Sequence, residues 1–316
     1  MCIAILSVGV CVGLGAWNLW TTARDTSQKT FNYKESENIF FSETSGRCYL
    51  TTRESCSIES AAKHNPTSRI RFIYTCNNLK ELIKDKVFQI IYRMRNVEAV
   101  QLNVLQDFSE FPLAKWYQSE DFEKTRNKPV GLSDGLRYTL IRKFGGTTID
   151  TDCVSRKPLP SLSAFAGFQS GSVVNGAVIR AQKESPFIIE CTERFVSEYS
   201  PTTWGHNGPR LLTQLFKEAC KRETKRYSTN TKCYNVYLFP PAAFYPVHFA
   251  DRNLFFDPNA TSLVLNLWKD SYMVHIWNKL VHRKEFKSGD GSPMDHLYKE
   301  NCPATYSYIV DRGPVN

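Results

Sequence analysis

The amino-acid sequence predicts an α/β fold, a mostly parallel sheet covered by helices, behind an apolar N-terminal segment. Residues 70–75 and 97–105 are rich in β-branched and aromatic side chains, which favour strands, whereas residues 79–92 carry apolar side chains at helical spacing. Strand–helix–strand alternation is typical of parallel sheets with covering helices. With 316 residues, 42% of them hydrophobic, the chain is long enough to bury a large core.

An uncharged stretch opens the chain. From Cys2 to Trp20 no residue is charged, and about 20 apolar residues suffice for a membrane-spanning helix. Residues 1–21 are therefore predicted to be a transmembrane signal-anchor, with a cleaved signal peptide as the alternative. The polar residues 22–44 are interpreted as a stem or linker, and residues 45–316 as one globular domain. No Lys or Arg precedes the apolar stretch, so charge does not fix its orientation.

Eight cysteines follow the apolar stretch, irregularly spaced and without Cys-x-x-Cys pairs. This pattern indicates up to four disulfides in an oxidising compartment and argues against zinc. Asn259-Ala260-Thr261 is the single N-glycosylation sequon of the sequence and fits a lumenal loop. Together these features favour the lumen of the secretory pathway.

The net charge of +9 comes from 40 basic and 31 acidic residues, and no run of five or more basic residues occurs. A nucleic-acid partner is therefore not expected, whereas a phosphate-bearing substrate or an anionic membrane surface explains the sign of the charge. Composition leaves the oligomeric state undecided.

The first candidate for chemistry is Asp150-Thr151-Asp152, which follows a glycine break and a short β-type run. On an extended backbone residues i and i+2 point to the same side, so both carboxylates are predicted to face one ion. Carboxylate oxygens suit Mg²⁺ or Mn²⁺, and such an ion neutralises the charge that builds on a diphosphate leaving group. This chemistry is typical of nucleotide-sugar transfer, although an isolated Asp-x-Asp is also common in solvated turns.

A helix is predicted directly before the two acids. Ser133 is the expected N-cap, an apolar stripe follows, and Gly145 ends the helix in a left-handed conformation. Asp134 and Arg137 are three residues apart in the first turn and therefore lie on one face. They form either an ordinary surface ion pair or a clamp that binds sugar hydroxyls through Asp134 and sugar or phosphate oxygens through Arg137. An earlier helix is predicted to begin at Ser57.

Several motifs occur in an order that resembles the α-1,4-glycosyltransferase family, a group of metal-dependent transferases of the DXD type. The main run goes from LSDGLR through FGG to DTD, within residues 132–152. Further matching stretches are SIESAA (57–62), PLAKWY (112–117), WGHNGPRLLT (204–213), PPAAFYP (240–246) and VHIWNK (274–279). The resemblance covers about residues 40–309. Residues 147–149 depart from the bulkier run of the family but leave the acids in place.

The resemblance implies a type II Golgi membrane protein whose lumenal catalytic domain, residues 45–316, has the Rossmann-like glycosyltransferase type A fold. It also implies a UDP-sugar donor, Mn²⁺ as the cofactor with Mg²⁺ as the alternative, and retention of the anomeric configuration. The expected acceptor is the terminal sugar of a glycosphingolipid, and O-glycans of glycoproteins are the alternative. The donor sugar stays open between galactose, N-acetylgalactosamine and N-acetylglucosamine.

Site residues are predicted from the resemblance together with side-chain chemistry. The expected metal ligands are Asp150, Asp152 and His275, since carboxylates and a neutral imidazole suit Mn²⁺. Gln169 and Asn175 are the expected catalytic amides beside the reacting carbon. No isolated acid suggests itself as a nucleophile, so front-face attack is favoured over double displacement.

The remaining candidates contact the two substrates, and a place in the core or in a plain loop is the alternative for each of them. Tyr74 and Trp116 are candidates for stacking on uracil. The candidates for the diphosphate are Trp277, Asn278 and Lys279, and those for the acceptor are His206 and Asn207.

Other classes of protein are weighed against a transferase. An inactive carbohydrate-binding protein of this fold would lack the metal acids, and a metal-dependent hydrolase would have more His and Asp ligands than a chain with 6 His offers. A membrane-anchored interaction module is a third alternative.

Overall fold

The structure is a computed structural model, and it describes residues 37–312. The strands are β1 (Asn38–Glu43), β2 (Arg69–Tyr74), β3 (Val97–Gln101), β4 (Gly146–Ile149), β5 (Cys153–Ser155), β6 (Phe165–Ser170), β7 (Val173–Ala181), β8 (Thr231–Cys233), β9 (Val236–Phe239) and β10 (Met273–His275).

The α-helices are α1 (Thr52–His64), α2 (Leu79–Lys84), α3 (Lys86–Tyr92), α4 (Val104–Asp107), α5 (Pro112–Tyr117), α6 (Glu120–Glu123), α7 (Lys128–Phe144), α8 (Pro186–Ser197), α9 (Leu211–Glu223), α10 (Thr261–Trp268), α11 (Asn278–Val281), α12 (Pro293–Asn301) and α13 (Pro303–Arg312). A π-helix spans His206–Arg210, directly before α9.

Eight strands form one sheet in the order β3-β2-β1-β4-β7-β6-β9-β8, while β5 and β10 form a separate antiparallel pair. The strands β3, β2, β1 and β4 are parallel to one another, whereas β7 is antiparallel to both β4 and β6. The chain places β2 and β3 on one side of β1 and β4 on the other, which creates a topological switch point between β1 and β4. Open α/β sheets bind ligands beyond the carboxyl ends of the strands at such a point.

Alternate side chains of the central strands enter two different cores. Ile39 and Phe41 of β1 belong to one core and Phe40 to the other, as the two-residue period of a strand requires. The first core includes residues of α1, α3, α12 and α13, and the second includes residues of α7, α8 and α9. Helices therefore cover both faces of a mostly parallel sheet, which confirms the predicted α/β architecture.

The helix before the two acids, α7, is longer than predicted. It begins at Lys128, and the side chain of Asn127 caps it by accepting a hydrogen bond from Val130 N. Ser133 therefore lies inside the helix, and the predicted N-cap is wrong because a better cap stands earlier in the chain. Its end is as predicted, since Gly145 follows the last turn with φ +66°.

The start of α1 is also earlier than predicted. Thr51 is its N-cap and forms a capping box with Glu54, so Ser57 is a buried residue inside the helix and not a cap.

Disulfides connect six of the eight cysteines that follow the apolar stretch, so three of the up to four predicted bridges are present in the described residues. They are Cys48–Cys76, Cys56–Cys302 and Cys220–Cys233. Cys153 and Cys191 are free and buried.

The predicted linker ends earlier than expected. Residues 38–43, assigned from sequence to the linker 22–44, form the buried strand β1 near the middle of the sheet. The predicted membrane segment, residues 1–21, lies outside the described residues. Within residues 37–312, no helix has the length and apolar character needed to span a membrane.

Candidate active site

The two acids of the Asp-x-Asp motif lie in a turn at the carboxyl end of β4. Asp150 N donates to the carbonyl of Ala177 in β7 (2.8 Å), and Cys153 N donates to the carbonyl of Asp150 (3.1 Å). The second bond closes the turn, so the predicted extended conformation is wrong and the two carboxylates meet different partners. Asp150 faces Arg137, and Asp152 faces His275. The turn lies beside the switch point between β1 and β4, where a ligand is expected.

Arg137 in the middle of α7 joins two of the acids. Its Nη2 atom lies 3.2 Å from Oδ1 of Asp134 and 3.0 Å from Oδ1 of Asp150, and its Nη1 atom donates to the carbonyl of Gly176. A Cβ atom at position 176 would lie 2.8 Å from Nη1, so glycine there makes room for the guanidinium. The predicted Asp134–Arg137 pair is thus a buried ion pair attached to the Asp-x-Asp turn, not a surface pair.

The electrostatics of this group are those of charges held out of water. Burial raises the pKa of Asp134 to about 6, with Arg137 opposing the rise and Asp150 adding to it. Burial also raises the pKa of Asp150, against the opposing effect of Arg137. Burial alone would lower the pKa of Arg137, but Asp150 and Asp134 outweigh it and the pKa rises. Arg137 therefore stays positively charged, beside the Asp134 and Asp150 carboxylates, whose ionised forms are disfavoured by burial.

Asp152 and His275 meet through the pairing of β5 with β10. Cys153 is directly opposite His275 in this ladder, which brings Nε2 of His275 to 3.2 Å from Oδ1 of Asp152. The other oxygen of Asp152 accepts from Asn278 N at 2.9 Å. Burial acts to raise the pKa of Asp152, but His275 and the N–H of Asn278 outweigh it, so the pKa lies below its ordinary value.

The donor atoms around Asp152 suit a divalent cation. Asp152, Cys153 and His275 bring potential ligand atoms within 4.8 Å of one another. The Nδ1 atom of His275 is buried and has no hydrogen-bond partner among residues 37–312. Burial raises the pKa of Cys153 well above its ordinary value, so this residue stays a thiol, a poor ligand for a hard ion. The residues that fit a divalent ion are Asp152 and His275, with Asp150 in the same turn.

The segment after β10 is held against α1. Arg53 donates to Oδ1 of Asn278 (2.6 Å) and to the carbonyl of Val281 (3.0 Å). Trp277 is buried, has φ +56° and donates through Nε1 to Val247 O at 2.9 Å. Its indole therefore anchors this segment in the core. The Asn278 side chain is occupied by Arg53, whereas its backbone N–H contacts Asp152.

Lys279 is exposed at the end of this segment, and its Nζ atom lies 3.7 Å from the centre of the Trp204 ring. Burial lowers its pKa. Of the three residues predicted to contact the diphosphate, Lys279 is the one whose charged group is exposed next to the site.

The two aromatic residues predicted to stack on uracil are core residues. Trp116 is 1% exposed and is enclosed by Phe122, Phe195 and Tyr199. Tyr74 lies at the carboxyl end of β2 but is also buried, with its ring stacked on Phe72. Neither ring has an open face for a base in this structure, so apolar burial and not nucleotide binding explains both residues.

Gln169 and Asn175 are brought together at the edge where β6 and β7 begin their pairing. Asn175 Nδ2 donates to Oε1 of Gln169, and Asn175 Oδ1 accepts from Ala177 N at 2.7 Å. Ala177 is the residue whose carbonyl accepts from Asp150 N, so the amide pair lies next to the Asp-x-Asp turn. Asn175 and Gly176 lie within β7, although an Asn-Gly dipeptide readily forms a hairpin turn.

The predicted acceptor residues hold their own loop together. Asn207 accepts from Ser200 N and donates to Ser200 O, both at 2.9 Å, and Nε2 of His206 is 2.8 Å from the carbonyl of Glu198. The side chains predicted to reach sugar hydroxyls are therefore engaged with backbone groups.

Three residues near the site carry no signal that the sequence analysis used. Arg53 positions Asn278 from α1, and Glu43 ends β1 at the switch point with a buried Oε2 that has no partner among residues 37–312. Gly208 lies close to the site, since a Cβ there would lie 3.1 Å from Oδ1 of Asp134. A polar residue at the end of the first strand is the signal that would have identified Glu43.

Comparisons with known families match both halves of the site. A family model described as "Glycosyltransferase sugar-binding region containing DXD motif" matches residues 51–169, which include Asp134 and Asp152. A second, "Alpha 1,4-glycosyltransferase conserved region", matches residues 180–309, which include His275. The mostly parallel sheet, with the Asp-x-Asp turn at the end of β4, is glycosyltransferase A-like.

One solved structure and two individual relatives are similar to this chain. The PaToxG glycosyltransferase structure gives a TM-score of 0.48 at 21% identity, over 60% of this chain and 72% of that one. The chain is 29% identical over 281 residues to the alpha-1,4-N-acetylglucosaminyltransferase of Homo sapiens, covering 87% of this chain and 81% of the relative. It is 32% identical over 277 residues to the lactosylceramide 4-alpha-galactosyltransferase of Rattus norvegicus, covering 85% of this chain and 75% of the relative. By this similarity and these motifs, the chain belongs to the α-1,4-glycosyltransferase family.

Proposed function

We propose that the protein transfers a hexose or N-acetylhexosamine from a UDP-sugar to the terminal sugar of a glycolipid, in α-1,4 linkage and with retention. The observation that carries the proposal is the group of Asp134, Arg137, Asp150, Asp152 and His275 at the switch point of the sheet. It combines a candidate divalent-ion site with a buried cation and a carboxylate that accepts hydrogen bonds. Those are the groups needed to bind a sugar diphosphate.

Each residue has a separate task in this proposal. Asp152 and His275 would hold the ion, Mn²⁺ with Mg²⁺ as the alternative, and when bound it would supply charge neutralisation for the leaving diphosphate. Arg137 orients the Asp150 carboxylate, and Asp134 accepts from a hydroxyl of the donor sugar. Lys279 adds a mobile positive charge beside the diphosphate.

The Gln169–Asn175 pair supports the front-face route. Two neutral amides stand beside the Asp-x-Asp turn, and amide dipoles stabilise positive charge that develops on the sugar ring without forming a bond to it. The nearby carboxylates Asp134 and Asp150 are both paired with Arg137, which weakens them as nucleophiles. We therefore propose that the acceptor hydroxyl attacks from the side on which the diphosphate leaves.

The substrates are proposed from the names of the relatives. The rat relative is named for lactosylceramide and galactose, which supports UDP-galactose and a glycosphingolipid ending in galactose. The human relative is named for N-acetylglucosamine, which supports UDP-N-acetylglucosamine as the second candidate donor. A glycoprotein O-glycan is the second candidate acceptor.

The proposed location is the Golgi membrane, with a single N-terminal span and the catalytic domain in the lumen. Three disulfides suit an oxidising compartment, and Asn259 of the sequon is exposed. We expect a glycosidase to lower the mass of the wild-type protein but not that of Asn259→Gln. We also expect the domain to be protected from protease in intact Golgi vesicles. Protease cleavage of the domain in sealed vesicles would contradict this topology.

The function is tested by transfer of labelled sugar from three UDP-sugars to lactosylceramide and to an O-glycan, with Mn²⁺, Mg²⁺ or chelator. We expect transfer of one sugar to lactosylceramide, abolished by chelator and reduced at least a hundredfold in Asp152→Asn, since an ion ligand is lost. Asp270→Asn, an exposed acid elsewhere, serves as the matched control. Undiminished metal-dependent transfer by Asp152→Asn would refute the assignment.

A further inference from the structure

Trp204 is the most exposed large hydrophobic residue of the described range, with 69% of its surface accessible. A Trp side chain has a large apolar surface and usually gains free energy by burial. A single exposed apolar residue needs no explanation by itself, so its surroundings decide whether it has a function.

The loop that presents Trp204 is firmly held. Asn207 makes two hydrogen bonds to the backbone of Ser200, and Arg210 N donates to the carbonyl of Gly205 at 3.0 Å. Gly205 has φ +70°, a left-handed conformation that a glycine adopts at little cost. Gly208 packs against the carboxylate of Asp134 in the active site. The backbone of the loop that presents Trp204 is therefore held beside Asp134.

Trp204 also meets the opposite side of the active site. The Nζ atom of Lys279 is 3.7 Å from the centre of the indole ring, a cation–π distance. Lys279 follows Asn278, whose backbone N–H donates to Asp152. Trp204 is thus connected to the Asp152 side of the site through Lys279, and to the Asp134 side through Gly208 of its own loop.

A pocket opens next to the loop that presents Trp204. It adjoins this loop through Gly205, which follows Trp204 in the chain, and has a volume of about 450 Å³. Its lining residues are Val173, Gly205, Pro209, Arg210, Thr213, Gln214 and Lys217. Val173 starts β7 four residues before Ala177, which is bonded to Asp150, a separation of about 13 Å along a strand. The pocket therefore lies further along β7 from the Asp-x-Asp turn than Asn175 does.

We propose that Trp204 is the stacking platform for the acceptor saccharide, with the adjoining pocket receiving the acceptor's second sugar. The apolar face of a pyranose packs on the indole, and the polar groups of the pocket bind hydroxyls, the combination typical of small-molecule sites. This inference rests on the proposed sugar transfer and assigns the acceptor side of the same site. It replaces His206 and Asn207, whose side chains hold the loop, by the residue that the loop presents.

The test compares Trp204→Ala and Trp204→Phe with the wild type as full chains in detergent, with methyl β-lactoside as soluble acceptor. We expect the KM for the lactoside to rise about tenfold in Trp204→Ala, the loss of one aromatic stacking contact, and to recover largely in Trp204→Phe. The KM for the UDP-sugar and the affinity for UDP with Mn²⁺ are expected to change less than twofold. Leu263→Ala, another exposed apolar side chain, is the control and should behave as the wild type.

A binding measurement makes the test independent of turnover. Lactoside is expected to change the tryptophan fluorescence of the wild type, and Trp204→Phe is expected to abolish that change. If the wild type transfers no sugar but this signal is present, the proposed transfer fails while the saccharide platform stands. If the Trp204 variants keep the wild-type KM for the lactoside and the wild-type fluorescence change on adding it, the platform is overturned. An equal rise in the donor KM would place the ring on the donor side and also overturn it. So would a defect seen with lactosylceramide in vesicles but absent with soluble lactoside, because the ring would then contact the bilayer.

Discussion

Nη2 of Arg137 lies 3.0 Å from Oδ1 of Asp150, so the middle of α7 is ionically bound to the end of β4. The same guanidinium contacts Asp134 and the carbonyl of Gly176. One planar side chain thus fixes the relative positions of a helix and two strands at the site. Lysine offers the same charge but cannot reach three partners in a plane.

Arg137→Lys is therefore expected to lower kcat/KM for the donor about a hundredfold, the effect of breaking a buried charge-assisted contact worth about 2–3 kcal/mol. Steady-state kinetics and thermal unfolding check this expectation. Arg142→Lys, on the same helix but paired with Glu184 and Glu193 near the surface, is the control. Activity of Arg137→Lys within threefold of the wild type would show that the charge alone is sufficient.

His275 is expected to set the affinity for the divalent ion. His275→Ala should raise the metal concentration for half-maximal activity by at least ten- to a hundredfold, because even partners that only orient metal ligands have effects of about that size. Excess Mn²⁺ should restore part of the activity. His296→Ala on α12 should leave the metal titration unchanged. An unaltered titration curve for His275→Ala would remove this residue from the ion site.

Asp134→Asn should separate activity from stability. Because burial raises the pKa of Asp134 to about 6, the stability that its protonated form gives is present at low pH and is lost as the pH rises through 6. A neutral Asn avoids this loss, so at pH 7.5 the free energy of unfolding should stay equal or rise, by at most about 3 kcal/mol. Donor kcat/KM should fall about a hundredfold, since a sugar hydroxyl loses a charged acceptor.

The Asp134 carboxyl group also predicts how the rate of transfer depends on pH. Wild-type transfer should decline as the pH falls through about 6, where Asp134 becomes protonated. Denaturant unfolding measures the stability of Asp134→Asn, and pH–rate profiles measure how transfer depends on pH. A fully active but destabilised Asp134→Asn enzyme would be the opposite of what this geometry predicts.

The Cys48–Cys76 disulfide joins the loops that follow β1 and β2 at the nucleotide crevice. Replacing both cysteines by serine should cost about 2–4 kcal/mol of stability and raise the KM for the UDP-sugar several-fold, because the crevice loops lose their connection. The matched control is Cys220→Ser with Cys233→Ser, a bridge between α9 and β8. It should lose stability with an unchanged donor KM; equal donor KM values for both pairs would contradict the assignment.

Gly208→Ala tests the close approach between the Trp204 loop and Asp134. The added Cβ would lie 3.1 Å from Oδ1, so the loop or the carboxylate must shift by a few tenths of an ångström. We expect donor kcat/KM to fall about three- to tenfold, that is by about 1 kcal/mol. Gly171→Ala, whose Cβ would meet nothing within 4 Å, should be neutral. A neutral Gly208→Ala would show that the loop adapts freely.

Local patterns predicted the features that depend on neighbouring residues in the chain. Strand–helix alternation predicted the α/β layers, and three-residue spacing placed Asp134 and Arg137 on one face of a helix. The contact of His275 with Asp152, 123 positions apart, was predicted from the family resemblance and not from any local pattern. The roles proposed for these residues stay predictions.

Features for which the same residue types fit two different structures were not predicted. Asp150 and Asp152 diverge because a backbone hydrogen bond closes their turn, and Trp116 is enclosed by rings from α6, α8 and the loop after α8. The caps of α1 and α7 stood earlier because Thr51 and Asn127 compete successfully with later serines. Long-range packing decided the position of Trp116, whereas a local hydrogen bond and earlier capping residues decided the other cases.

The antiparallel pair of β5 and β10 gives the ion site a second consequence. Asp152 and His275 come from segments far apart in the chain, and an ion bound to both would act as a non-covalent cross-link between the two matched regions, residues 51–169 and 180–309. A ligand that binds only the folded state stabilises it in proportion to the logarithm of its concentration. The supply of divalent ions in the compartment would then govern the lifetime of the folded enzyme as well as its rate.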